Sequence, residues 1–130
     1  MISKYLSDLG VKEVDLPWEW NPSDSREKGW EEDRNIYGFD ERDTWSLDYT
    51  LILLIYPRLK MYDEVNGINT SYHKFDYKEK EYTQQECMDK ILEGFEIYLS
   101  KSEYKRTDED WEKIQDARML LAIISPALWW

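Results

Sequence analysis

The side chains that could act on a substrate or hold a metal are few in this 130-residue chain, and they are poorly grouped. There is one histidine, His73, and one cysteine, Cys87. A single imidazole does not make a histidine-based zinc site, although it could serve alone as a general base. Cys87 falls in the first turn of a helix expected to begin after Thr83, where a thiol pKa can drop. Glu86 and Asp89 beside it oppose the thiolate, and Met88 and Ile91 indicate a half-buried position, so Cys87 reads as inert packing. Three carboxylate clusters remain: Glu31-Glu32-Asp33, Asp40-Glu41 with Asp43, and Asp108-Glu109-Asp110. They offer oxygen ligands, but none has the glycine-centred spacing of a calcium loop. Two of the three stand just ahead of or at helix starts, where carboxylates are favoured by the helix dipole alone. The five glycines, at 10, 29, 38, 67 and 94, are scattered, and there is neither a phosphate-cradling loop nor a nucleophile elbow. The expectation is a chain without catalytic residues, metal or cofactor: not an enzyme.

Binding is the chemistry left. With 28 acidic against 17 basic residues the net charge is −11, so the protein repels phosphate backbones and is drawn to cationic clusters. Direct nucleic-acid binding is not expected, whereas docking on the basic site of a protein is. Carboxylates spaced along rigid helices can imitate a nucleic-acid backbone in such a site; acidity kept for solubility alone is the plainer reading. The candidate acidic and aromatic surface comprises Trp18, Trp20, Trp30, Glu31, Glu32, Asp33, Asp40 and Glu41. An alternative is a nucleotide sponge that stacks a base on Trp18, Trp20, Trp30 or Tyr72 and holds phosphates near His73 with Lys74, Lys78 and Lys80. A second copy of the chain is a further candidate partner, and a structural role in a virus particle a further candidate function. A lone cysteine forms no intrachain disulfide. The opening "MISKYLSDLG" has no long apolar leader segment, and the longest apolar run, residues 51–56, is far too short for a membrane span. A soluble, cytoplasmic protein that avoids membranes is expected.

The elements that would position these residues are mostly helical. Apolar residues at 42%, with seven Trp and ten Tyr, can supply a core for one domain over residues 1–130. Ile2, Tyr5, Leu6 and Leu9 predict a short helix stopped by Gly10, and residues 11–16 alternate as a brief extended piece would. Residues 17–43 contain two prolines, two glycines and three tryptophans. Such a long connection either hides a short helix near residues 23–34 or wraps the body with its indoles, which could equally pack inward. Next comes a helix over 44–65, capped by Asp43 or Thr44, apolar all round and hence buried all round, and kinked or restarted near Pro57. Asp48 near its start needs a partner. Residues 68–82 read as irregular with a short strand near 74–77. Thr83 and Thr107 open capping boxes for helices over 84–100 and 108–124, the last stopped before Pro126. The fold class is all-α or mostly α: a small bundle of three main helices, a short N-terminal helix and a long Trp-rich connection. Trp129 and Trp130 in the "ALWW" tail should fold back or dock in a partner.

The stretch "GFDERDTWSLDYTLILLIYPRLKMYDEV" resembles a pattern in small acidic proteins of bacterial viruses and prophages. There a glycine–aromatic–Asp-x-Arg-Asp/Glu-Thr-Trp segment leads into an apolar helix with a Pro-Arg-Leu-Lys step. The matching positions are Gly38, Phe39, Asp40, Arg42, Asp43, Thr44 and Trp45, then Pro57, Arg58, Leu59 and Lys60; residues 88–99 look like the second helix of such proteins. The resemblance covers about half the chain and brings no catalytic residues. It implies a viral origin and, by association, a protein that binds and disables host machinery, including nucleic-acid-guided defence enzymes.

Overall fold

A computed structural model describes residues 2–20, 26–66 and 73–128. The fold is mostly helical, with four main helices and a two-stranded hairpin. Its contacts group into two compact units, Met1–Ile55 and Tyr56–Trp130.

The first unit begins with α1, Lys4–Asp8, whose cap Ser3 accepts a hydrogen bond from the Tyr5 amide. Gly10 follows at φ +89°, the left-handed turn that a glycine adopts without a Cβ clash. Residues 11–16 are not extended as their alternation suggests: Glu13–Asp15 is a 3₁₀ turn, closed by the Asp15 carboxylate on the Lys12 amide. A second turn, Pro17–Glu19, starts on the proline that suits a first helical position. The hidden helix of the Trp-rich segment is α2, Glu27–Tyr37, ended by Gly38 at φ +83°. A 3₁₀ turn, Glu41–Thr44, then leads to α3, Leu47–Asn66.

Helix α3 runs through Pro57 as one continuous helix, and it differs from expectation in two ways. It starts at Leu47 because the caps upstream serve the 3₁₀ turn, where Asp40 accepts from the Arg42 amide and Thr44 Oγ1 donates to the Glu41 carbonyl. It is also not buried all round: Ile52, Leu53, Tyr56 and Leu59 are buried, while Leu47, Leu51, Leu54, Met61 and Val65 are exposed. An apolar sequence does not choose its own inner face; the neighbouring elements do.

In the second unit the Tyr56 hydroxyl donates to Glu96, and Gln85 donates to Asp63. Strands β1, Lys74–Tyr77, and β2, Lys80–Thr83, pair antiparallel with Tyr77 opposite Lys80. Helices α4, Gln84–Ser100, and α5, Asp108–Ile124, form an antiparallel hairpin with the bounds their capping boxes indicate. Cys87, Ile91, Phe95, Ile114, Ala117, Leu120 and Ile124 are its sealed core. The Cys87 thiol is held above its ordinary pKa by burial and by Glu86, the opposite of an activated nucleophile.

The hairpin turn has an unusual composition. Lys78 and Glu79 sit at φ +50° and +63°, positions that usually favour Asn-Gly. Left-handed geometry costs an L-residue roughly 1–2 kcal/mol, part of which a glycine gives back as unfolded-chain entropy. Glu79→Gly is therefore expected to stabilise the protein by about 0.5–1 kcal/mol. A thermal melt showing a lower Tm would contradict this.

Candidate acidic and aromatic binding surface

The centre of the first unit is a knot of arginine, aspartate and indole. Asp40 is 1% exposed. Its carboxylate accepts from Arg42 Nε at 3.0 Å, Arg42 Nη2 at 2.7 Å and Arg34 Nη1 at 2.7 Å. Arg42, itself buried, also donates to the Trp20 carbonyl and lies with its guanidinium carbon 4.5 Å from the Trp30 ring centre. Trp45 stacks on Trp20 at 6.1 Å and meets Trp30 edge-on at 5.8 Å, both geometries that suit ring quadrupoles. Arg26 lies 5.5 Å from Trp30 and 5.6 Å from Trp45, within cation–π range.

The electrostatics follow from this packing. The hydrogen bonds from Arg42, helped by Arg34, hold the Asp40 carboxyl down to about 2 against the opposing effect of burial. Asp43, which reaches back to the Asp40 amide, has its pKa raised by burial. A carboxylate held below its unfolded value stabilises the fold at neutral pH, and that contribution is lost as pH falls through the folded value.

This packing corrects part of the expected surface. Asp40 and Trp30 do not face a partner: the first neutralises two arginines, and the second is 2% exposed beneath Arg42. Trp18 and Trp20 are half-buried, as is Asp33. Glu31, Glu32 and Glu41 are exposed and enter none of the salt bridges among the described residues. Ile36, one turn on from Glu32, is 71% exposed, and Tyr37 and Phe39 are exposed with ring centres 6.2 Å apart. A cleft of about 500 Å³ opens nearby, and Trp18, Arg34, Phe39, Asp43, Leu47 and Leu54 are among the residues that line it. Sequence reasoning missed Trp45, Ile36 and Phe39 as surface or cluster members. For Ile36 the usable clue was its place one turn from Glu32; for Trp45 it was another indole closely following the Trp-rich segment.

The lysine set lies in the second unit, and Tyr72 is outside the described residues. His73, Lys74, Lys78 and Lys80 are exposed. Lys78 reaches Asp116 at 2.9 Å and Glu112 at 3.5 Å, and the Tyr77 hydroxyl donates to the same Asp116 at 2.6 Å. Lys80 lies 5.1 Å from the Tyr82 ring centre. Two of the three lysines therefore already have partners for their charge. In the third acidic cluster Asp110 is structural: it caps through Thr107 and binds Lys101 at 2.8 Å. Among the described residues no group of acidic, histidine or cysteine side chains is placed to hold a metal, and no helix is long and apolar enough to cross a membrane. Trp129 and Trp130 lie outside the described residues.

Comparison with protein-family models, curated proteins and solved structures found no match.

Proposed function

We propose that this protein is a non-catalytic acidic binding protein, virus-encoded, that inhibits a host protein by occupying its basic site. One observation carries the reading. In the two acidic clusters of the first unit, Asp40 and Asp43 are engaged in internal bonds and Asp33 is half-buried, whereas Glu31, Glu32 and Glu41 are exposed beside an uncovered Ile36, Tyr37 and Phe39. Apolar anchors framed by charge of one sign are what recognition of a basic surface uses: the anchors supply desolvated contact, the charge supplies steering and register. The knot behind them keeps α2 and the following turn fixed in advance, which lowers the ordering cost of binding. A nucleic-acid-handling or defence enzyme, with its basic channel, fits this chemistry, and the resemblance to virus and prophage proteins agrees with it.

The test is capture by the immobilised full chain from host-cell lysate, compared with Glu31→Gln/Glu32→Gln/Glu41→Gln. Surface charges of this kind contribute roughly 0.2–1 kcal/mol each, so the triple variant should bind about 10-fold more weakly, and added salt should weaken the wild-type complex. Equal capture by both proteins at low and high salt would refute the charge-based reading.

A further inference from the structure

The exposed side of α3 carries a pattern that neither its own fold nor an acidic docking surface requires. Leu47, Leu51, Leu54, Arg58, Met61 and Val65 are separated by alternating steps of four and three residues, and all six are exposed. The five apolar ones are 46–63% exposed. A 3.5-residue repeat on a 20-residue helix is the seam of a two-helix coiled coil, so the cover it calls for is another helix with the same spacing.

We propose that α3 pairs with α3 of a second copy in an antiparallel, two-fold symmetric dimer. Self-complementarity selects this occupant and this direction. Antiparallel pairing about the middle of the helix sets Leu47 against Val65 of the second copy, Leu51 against Met61, and Leu54 against Arg58. Every layer then has at least one aliphatic member, and the arginine stem packs along a leucine. Parallel pairing would instead place Arg58 against Arg58, a like-charge layer. The flanking carboxylates agree: antiparallel pairing brings Asp48 towards Tyr62 and Glu64 towards Thr50, with no carboxylate opposite another. A closed isologous contact of this kind ends at two copies.

The dimer responds to salt in the opposite sense from the partner complex. Two chains of charge −11 repel at long range, so screening tightens an apolar seam. Sedimentation of the full chain from low micromolar to roughly 100 µM should show a monomer–dimer equilibrium whose dissociation constant falls as salt rises. Leu51→Glu places an unpaired charge in two layers of the dimer and should raise that constant on the order of 100-fold, with an unchanged circular-dichroism spectrum because Leu51 is exposed. A second variant is independent of affinity: Leu51→Cys/Met61→Cys should oxidise to a covalent dimer, while either single cysteine should not. The native thiol does not interfere, being fully buried. Monomer throughout, a dimer indifferent to Leu51→Glu, or cross-linking by Leu51→Cys alone would overturn the proposal. Capture through Glu31, Glu32 and Glu41 is read on a different variant and responds to salt in the opposite sense, so the two readings fail separately.

Discussion

Asp40→Ala should cost about 3–5 kcal/mol of stability, the range for removing one partner from a buried ion pair. Its carboxylate is sealed and answers two guanidiniums. Removal leaves Arg42 buried and charged against Trp30 and the Trp20 carbonyl without its bonded carboxylate, and also deletes the cap on the turn before α3. A melt should show Tm falling by roughly 10 °C or more. Asp40→Ala/Arg42→Met should recover part of the loss, since the stranded charge goes too. The pH dependence carries the same signature. With the folded pKa near 2 against an ordinary 3.8, the group contributes about 2 kcal/mol at neutral pH. That contribution should fade between about pH 4 and 2 in the wild type and be missing from the variant's acid-unfolding curve.

Gly94→Ala should be nearly as damaging, although alanine is ordinarily the better helix former. A Cβ at position 94 would lie 2.5 Å from the Ala117 Cβ and 2.5 Å from the Lys113 carbonyl oxygen. Both obstacles belong to α5, and neither is a flexible side-chain end. The α4–α5 hairpin must therefore open, at a cost of about 1–3 kcal/mol or more, in a segment whose core is fully sealed. Gly29→Ala is the internal control: nothing lies within 4 Å of its added Cβ, so it should raise Tm slightly through helix propensity. Chemical denaturation of both variants checks the contrast.

What could be read from the sequence was what is local. Thr83 and Thr107 sit three residues ahead of the carboxylates that complete their capping boxes, and α4 and α5 start where those pairs say. Gly10 likewise ends the first helix in a left-handed turn. What could not be read depends on convergence. Asp40 resembles any exposed carboxylate ahead of a helix until Arg34 and Arg42 close on it from either side. The leucines of α3 pointed to burial all round because periodicity registers apolarity, not which face a neighbour covers. Of the expected surface, Glu31, Glu32 and Glu41 are exposed, while Trp30 and Asp40 are buried and serve the fold.

The most direct test of the binding account is native mass spectrometry of the protein recovered from its own host cells, with partner and ligand still attached. The account predicts a discrete added mass, a host protein with a basic surface, lost at high ionic strength and absent from the Glu31→Gln/Glu32→Gln/Glu41→Gln variant. Recovery with no protein partner, or with a bound nucleotide in its place, would contradict it.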